Sequence, residues 1–248
     1  MGLRLYIRYV ASFLKNIPNI QQAGDLRPLD KSMGELAKKF HYRGKSFFFD
    51  CGYCDHHLQE DSFAFGVARE IYIRDCYFRW IPSEIFSRIR VAVDLGANRG
   101  AFSALMTTQA KCIISVECDG KYESIIRHNL QLNNYDAYGI EVAAVGSIPL
   151  IGSGAGMTME DLMRSHQIES IDFLKIDIEG SEFSLFAITG WLDRVHALSM
   201  ELHPAHGDCS VIAEAIKSKG FELVVANENL ERVNEICDAS FLYAWKRP

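Results

Sequence analysis

Short apolar runs alternate with helix-like segments along the last two thirds of the chain. The runs cover residues 91–95, 112–117, 140–145, 171–177, 197–202, 221–226 and 240–245, and helix-like segments cover 100–109, 121–133, 159–167 and 210–219. Continuous apolar runs separated by helices are typical of parallel strands that are buried on both faces. The last two runs are joined by a polar segment, so we expect that pair to be antiparallel. The pattern predicts an α/β fold: a doubly wound, mostly parallel seven-stranded sheet with its last strand antiparallel.

The first residues of the chain predict an amphipathic helix over 3–17. Arg4, Arg8 and Lys15 fall on one stripe, apolar side chains form the other face, and the first acid is Asp25. Such a helix suits a membrane surface, or it packs on the main domain or on a partner subunit; we favour packing. The start Met-Gly-Leu-Arg-Leu-Tyr lacks the Ser/Thr of a myristoylation site.

The rest of the N-terminal quarter gives weaker signals. Residues 18–34 read as a linker or irregular cover, and 70–80 as a strand followed by a lid. The run Cys51-Gly52-Tyr53-Cys54-Asp55-His56-His57 resembles half a zinc site but lacks a second pair, so a loop capping an active site is favoured. We predict two parts: residues 1–80, an amphipathic helix and variable cap or lid, and residues 81–248, the main domain.

Composition narrows the function classes. The 248 residues suffice for one large α/β domain with an appendage, and the net charge of −6 makes nucleic acid an unfavourable partner. The seven cysteines are scattered and odd in number, which favours a reduced, cytoplasmic protein. No apolar run in the sequence reaches transmembrane length.

A glycine-bracketed turn follows the first strand of the main domain. Asp94-Leu95-Gly96-Ala97-Asn98-Arg99-Gly100 lacks the glycines of the dinucleotide fingerprint and the Gly-Lys-Ser/Thr ending of a P-loop. It has the shape of the first motif of class I S-adenosyl-L-methionine (SAM) methyltransferases, with Asn98 in place of the usual middle glycine. Gly96 and Gly100 permit close backbone approach, Asn98 tolerates left-handed angles, and Ser103 on the next helix can bind a carboxylate.

The second strand ends in a carboxylate, Glu117, whose spacing from Asp94 is informative. Glu117 lies 23 residues after Asp94, and an acid about 20 residues on takes the ribose hydroxyls in Rossmann-like folds. On the third strand, Ala143 and its small neighbours suit a flat adenine base. These residues predict a nucleoside-containing cofactor.

Further polar residues end the next two strands. Asp177 and Glu179 follow the fourth, and Glu201 and His203 follow the fifth. Ligands of open α/β sheets bind outside the carboxyl ends of strands, so these side chains should share one rim with Asp94.

Three stretches carry a resemblance to the FkbM-type family of SAM-dependent methyltransferases. They are residues 93–103, the run 172–182 with its Lys-Ile-Asp-Ile-Glu-Gly, and Met-Glu-Leu-His-Pro at 200–204. The resemblance covers about residues 90–246. It implies SAM as cofactor, S-adenosyl-L-homocysteine (SAH) as product, and O-methylation of a hydroxyl on a small metabolite, sugar or glycan. Residues 81–248 would then be the SAM-binding domain.

Methyl transfer to a hydroxyl is an in-line displacement that needs alignment and a base. His203 is our first candidate for the base, and Asp177 would orient it, hold the acceptor or contact the methionine amino group. Glu179 and Glu201 are second candidates. We assign no metal ligand; a hard divalent cation held by these four residues is an alternative that we do not favour.

Other functions stay open. An RNA or protein methyltransferase is disfavoured by the net charge and by the lack of an N/D-P-P-Y/F motif. A non-catalytic SAM-fold partner protein is disfavoured by the intact set of Asp94, Glu117, Asp177 and His203. An NAD-dependent oxidoreductase is weaker still, because the fingerprint glycines are missing.

Overall fold

A computed structural model describes residues 3–34, 37–53, 64–146 and 155–247. Its strands are β1 (Lys39–Tyr42), β2 (Lys45–Phe48), β3 (Val91–Leu95), β4 (Cys112–Glu117), β5 (Tyr138–Val145), β6 (Ala155–Met157), β7 (Phe173–Ile176), β8 (Ala197–Glu201), β9 (Glu222–Ala226), β10 (Arg232–Val233) and β11 (Phe241–Trp245). Its α-helices are α1 (Leu3–Ala23), α2 (Arg27–Gly34), α3 (Ala64–Arg69), α4 (Ser83–Phe86), α5 (Ala101–Met106), α6 (Glu123–Gln131), α7 (Met159–Ser165), α8 (Glu182–Leu185) and α9 (Cys209–Ser218).

The main sheet has the order β10-β9-β11-β8-β7-β3-β4-β5-β6. Strands β3 to β8 pair in parallel, whereas β11 runs antiparallel to both β8 and β9. The predicted class, with its antiparallel last strand, is confirmed. The sheet has nine strands instead of seven, because the short edge strands β6 and β10 pair with β5 and β9. Neither is long enough to leave an apolar pattern in the sequence.

Alternate residues of β3 show how the sheet separates two cores. Ala92 belongs to one apolar cluster with α5, α6 and side chains of the N-terminal segment, such as Phe47. Val93 and Leu95 belong to the other cluster, with α7, α8 and α9. Helices therefore cover both faces, as expected for strands that are apolar on both sides. The chain crosses from one face to the other after β6, so the strand order reverses beside β3, where ligands of such sheets bind.

The N-terminal segment is more regular than the sequence indicates. The prediction of a linker over 18–34 is wrong, because α1 continues through Pro18 and α2 follows. Polar contacts join the two helices: the Asn16 amide donates to Ser32 Oγ at 3.2 Å. Because these contacts join residues of two different helices, the local sequence pattern does not predict them.

The aromatic stretch after α3 is not a strand. Glu70–Arg74 form a π-helical turn. Tyr72 lies 4.8 Å, between ring centroids, from both Phe40 and Phe47, and its hydroxyl donates to the Ala101 carbonyl at 2.7 Å. Packing against β1, β2 and α5 thus overrides the strand propensity of these residues.

Two further expectations concern this segment. Cys51 is buried, but Cys54, His56 and His57 of the cysteine–histidine run lie outside the described residues. Within the described ranges, none of the helices combines the length and apolarity required to cross a membrane.

Candidate cofactor and acceptor site

The turn after β3 fixes the backbone at the centre of the site. Gly96 has φ +74°, and a Cβ there would lie 1.6 Å from the Asp177 carbonyl oxygen. The N–H groups of Gly96 and Ala97 both donate to Val116 O at 2.9 Å. The turn is therefore tied to the ends of β4 and β7, and only a residue without a side chain fits at Gly96.

Two further residues of the turn, Asn98 and Gly100, also have backbone angles in the left-handed region. Asn98 has φ +48° and is exposed. Gly100 has φ +74°, and a Cβ there would lie 3.2 Å from the Ile126 Cα, so this glycine brings α5 close to α6. The left-handed angles of Asn98 agree with the prediction for this residue, whereas the close approach at Gly100 is to α6 and not, as the sequence suggested, to the strand.

A buried polar row lies beneath the turn. Asp94 and Ser103 are fully buried, and the Ser103 hydroxyl donates to Asp94 Oδ2 at 2.6 Å. Lys175 Nζ lies 3.3 Å from Asp94 Oδ1 and donates to the Gly96 carbonyl at 2.6 Å. Asp94 and Ser103 are thus placed to support the turn from below, where the sequence suggested contact with a ligand carboxylate for Ser103.

Lys175 is a buried cation that the sequence analysis missed. It is 3% exposed. Burial opposes its charge, but the carboxylates of Asp94 and Asp177 outweigh that effect and raise the pKa of Lys175. The sequence feature that could have revealed this cation is a single lysine, two residues before Asp177, in a strand that is otherwise apolar.

A first cleft, which we call the nucleoside cleft, lies on the β4 and β5 side of the turn. Its walls include Gly96, Glu117, Ala143, Asp177 and Glu179. The half-buried Glu117 carboxylate accepts the backbone N–H groups of Asn98 at 2.8 Å and Asp119 at 3.0 Å. A fixed carboxylate beside small apolar residues fits a ribose and a flat base.

A second cleft, which we call the acidic cleft, lies on the other side of the turn. Its charged lining residues are Glu70, Arg74, Lys175, Asp177, Glu179, Glu201 and Glu228. One wall comes from α3 and the π-helical turn, so the N-terminal segment forms part of the site. The two clefts share Gly96, Asp177 and Glu179.

Asp177 is held by groups from two parts of the chain. The Tyr77 hydroxyl donates to Asp177 Oδ2 at 2.8 Å, and Lys175 Nζ lies 3.5 Å from the same oxygen. Burial, and then the charge of Asp177, raise the pKa of Tyr77, which keeps its proton in place. Tyr77 is 100 residues from Asp177 in sequence, and nothing in the local pattern around it points to this contact.

Glu201 has an unusual protonation equilibrium. Burial, and then the negative charge of Asp177, raise the pKa of Glu201 to about 7. This carboxyl group lines the acidic cleft. A group that gains and loses a proton near neutral pH suits acid–base chemistry.

His203 is fixed by a buried carboxylate. Its Nδ1 lies 2.8 Å from Glu182 Oε1, which also accepts the His203 backbone N–H at 3.1 Å. Its Nε2 lies 3.4 Å from Glu179 Oε2. The hydrogen bond to Glu182 is the main cause that raises the pKa of His203 to about 9. The ring is therefore mostly an imidazolium at neutral pH.

Glu182 is a second residue that the sequence analysis left without a site role. It is fully buried, and its other oxygen accepts the Gly180 N–H at 2.8 Å. Glu182 thus links the turn after β7 to the residue that follows β8. In sequence, it is indistinguishable from a solvated acid at a helix start.

One group of ligand atoms is compatible with a cation. Within the part of the chain that the structure describes, Asp177, Glu179 and His203 each offer one ligand atom, and these atoms lie within 4.8 Å of one another. Carboxylates of this kind bind hard cations, but exposed acidic groups are also common without one.

Comparisons with known proteins bear on this site. Residues 155–223 match the Methyltransferase FkbM domain. Two of the three stretches that carried the resemblance, 172–182 and 200–204, lie inside the matched segment. No protein with a curated description matches the chain by sequence.

Solved structures give further likenesses. An rRNA methylase from Streptococcus thermophilus is 13% identical with a TM-score of 0.48, covering 72% of this chain and 96% of its own. A methyltransferase FkbM from Methylobacillus flagellatus is 16% identical with a TM-score of 0.49; the likeness covers 63% of this chain and 44% of that protein. A Streptococcus mutans protein in complex with SAH is 12% identical with a TM-score of 0.45; the likeness covers 65% of this chain and 92% of that protein.

The strand order and the domain match together define the class. A mostly parallel sheet with β11 inserted antiparallel between β8 and β9 is the class I methyltransferase arrangement. The chain therefore has the class I methyltransferase fold, and its resemblance to the FkbM-type family is confirmed over residues 155–223.

Proposed function

We propose that the protein transfers the methyl group of SAM to a hydroxyl oxygen of a small metabolite, a sugar or a glycan. The observation that carries the proposal is the meeting of the nucleoside cleft and the acidic cleft at Gly96, Asp177 and Glu179. A cofactor in the first cleft and a hydroxylated acceptor in the second would meet at these residues. The carboxylates of the acidic cleft are acceptors for hydroxyl hydrogens.

The residues of the nucleoside cleft fit the cofactor. Glu117 would accept a ribose hydroxyl, since a carboxylate has about four acceptor positions, and the two backbone N–H groups and the Cys118 thiol at 3.4 Å do not fill them. Ala143 would lie against the base, and the turn from Gly96 to Gly100 would face the methionine part. Bound SAM supplies an electrophilic methyl group on a sulfonium.

Glu201 is our first candidate for the base that takes the hydroxyl proton. It lines the acidic cleft, and its pKa of about 7 matches a neutral operating pH. His203 is the second candidate, because with a pKa of about 9 it carries its proton at neutral pH in the free protein. As an imidazolium fixed by Glu182, His203 would position Glu179 at the rim of both clefts.

The first test is calorimetric titration of SAM and SAH into the wild type and Glu117→Gln. We expect micromolar binding that weakens about tenfold in the variant, roughly the loss of one hydrogen bond to a charged group. Glu141→Gln is the matched control, because Glu141 lies on the adjacent strand but binds His166 at 2.8 Å. Equal weakening in both variants would remove Glu117 from the ribose role.

The second test addresses the acceptor. Incubation with methyl-labelled SAM and a panel of hydroxylated metabolites and glycans should yield labelled ether products. Labelled RNA or protein, with no labelled small molecule, would overturn the proposal. Turnover that is unchanged after exhaustive chelation would make the transfer metal-free; turnover restored only by Mg²⁺ would place a cation among Asp177, Glu179 and His203.

A further inference from the structure

Helix α1 has an inner face that packs on the protein. The Tyr9 ring lies 6.2 Å from the Phe65 ring, and Ile20 packs against the apolar cluster. Asn16 is 9% exposed and hydrogen bonds to Ser32 on α2. These side chains are seven and four residues apart, which is two turns and one turn, so they lie on one side of the helix.

A second face of α1 is apolar and exposed. Its stripe, which we call the outer stripe, consists of Leu3, Tyr6, Ile7, Phe13 and Leu14, with exposed fractions of 74%, 54%, 57%, 37% and 60%. The spacing again follows the helical repeat. Half of the ten most exposed large hydrophobic side chains in the described ranges thus lie on this one helix. Single exposed apolar residues are ordinary, but a continuous stripe marks a contact surface.

The charge of α1 is opposite to that of the rest of the chain. Arg4, Arg8 and Lys15 are all exposed, and the sequence has no acid before Asp25. The whole chain has a net charge of −6. The basic side chains lie beside and behind the outer stripe. Their long aliphatic portions allow the charged groups to reach a surface that contacts the stripe.

We infer that α1 docks lengthwise on an anionic lipid bilayer, with the outer stripe inserted at the boundary between headgroups and acyl chains. Helices with an apolar face and a Lys/Arg-rich polar face bind in this way, by apolar burial together with attraction to anionic headgroups. Each basic residue near such a surface contributes about a fivefold gain in affinity.

The charges also decide between a bilayer and a second copy of the chain. A dimer through the outer stripe would bring two helices together, each with three cations and no anion. Like charges across an interface oppose association. An anionic surface, in contrast, complements the same charges.

The test is flotation of the full-length protein with vesicles of phosphatidylcholine alone, or of phosphatidylcholine with about a quarter phosphatidylglycerol. We expect binding to the anionic vesicles that weakens at least tenfold in Ile7→Glu. Ile188→Glu is the matched control, because Ile188 is 63% exposed but belongs to the segment after α8 and not to α1, and this variant should bind as the wild type does. Thermal melting checks that both variants are folded.

The charge is tested separately with Arg4→Gln/Arg8→Gln, which leaves the outer stripe intact. Affinity for anionic vesicles should fall about 25-fold, at about fivefold per charge. Raising the salt from 0.1 M to 1 M should weaken wild-type binding, because the screening length shortens from about 10 Å to about 3 Å.

Two outcomes would overturn the inference. One is wild-type protein that does not float with either vesicle. The other is a wild-type dimer in light scattering that Ile7→Glu converts to monomers, since a second copy would then cover the stripe. Neither outcome depends on methyl transfer, because flotation requires neither cofactor nor acceptor.

Discussion

The two clefts differ in how the chain builds them. The nucleoside cleft comes mainly from the ends of β3, β4 and β5, and its carboxylate Glu117 is held by backbone N–H groups of Asn98 and Asp119, both within 19 residues of it. The acidic cleft combines the ends of β7 and β8 with residues around the π-helical turn, and its Asp177 is held by the distant Tyr77. The cofactor side is thus encoded locally, whereas the acceptor side depends on tertiary packing.

The protonation states follow the same division. In the acidic cleft, burial and then the charge of Asp177 raise the pKa of Glu201 to about 7. At the nearby His203, the hydrogen bond to Glu182 and neighbouring carboxylates outweigh burial and raise the pKa to about 9. Crowded carboxylates with few cations produce such shifts. We therefore expect changes in the acidic cleft to alter turnover and its pH dependence, and changes at the turn to alter folding and cofactor binding.

The largest effect should come from Glu201→Gln. If Glu201 is the base, turnover should fall about 10²- to 10⁴-fold while SAM affinity in calorimetry stays within about twofold. In the wild type, kcat/KM should rise with pH and level off above about 7, the pKa of the base. A profile that keeps rising to about 9, together with near-normal turnover in the variant, would give the role to His203.

The next effect is structural, from Gly96→Ala. The new Cβ would meet the Asp177 carbonyl oxygen at 1.6 Å, and the backbone has φ +74°. Strain and displacement together should lower the free energy of unfolding by about 3 kcal/mol or more and abolish SAM binding. Gly220→Ala is the control, because Gly220 has a similar φ of +79° but a Cβ there would have no neighbouring atom within 4 Å. The free energy of unfolding, measured in urea, should fall by about 1 kcal/mol in this variant. Equal losses would mean that backbone angles alone, and not the approach of β7, account for the glycine.

The same difference explains what the sequence could predict. The bounds of β3 and β4 agree with the predicted runs, because a run of five or six mostly apolar residues is enough to indicate a buried strand. The carboxylates at strand ends follow from the parallel topology, so Asp177 and Glu201 were placed on one rim. The pairing of Glu182 with His203 could not be predicted, because it joins the start of α8 to the loop after β8, 21 residues further along the chain.

The N-terminal segment shows the opposite case. Its helix α2 and π-helical turn depend on contacts with α1, β1 and α5, and the local pattern favoured a linker and a strand. Tyr77 and Lys175 were missed for a related reason. Each is a common core or strand residue until the fold brings it beside Asp177.

A smaller effect should appear in the pH dependence of stability. The pKa of His203 is raised from 6.5 to about 9 in the folded state, so its contribution is fully present below about 6.5 and is lost as the pH rises through about 9. Between pH 7.5 and 10, Glu201 is already mostly ionised. Over that range the wild type should lose about 1–2 kcal/mol relative to His203→Asn, after allowance for solvent screening.

The exposed His206 provides the control for that measurement. It lies on the turn that follows His203. Urea unfolding of His206→Asn should show the same pH dependence as the wild type. If His203→Asn also follows the wild type from pH 7.5 to 10, the pair with Glu182 does not stabilise the imidazolium.

The smallest effect, Tyr77→Phe, probes the link between the N-terminal segment and the acidic cleft. The change removes one hydrogen bond to Asp177 and keeps the ring against Phe102, 5.7 Å away between centroids. We expect kcat to fall about three- to tenfold with SAM affinity unchanged, since one donor contributes about 1 kcal/mol. Tyr243→Phe is the matched control, because its hydroxyl donates at 2.6 Å to the Cys76 carbonyl, outside the carboxylate cluster. Both variants should lose similar stability on unfolding. A drop in kcat confined to Tyr77→Phe would make Tyr77 a positioning residue for Asp177; equal drops would mean that the N-terminal segment acts on the site through packing alone.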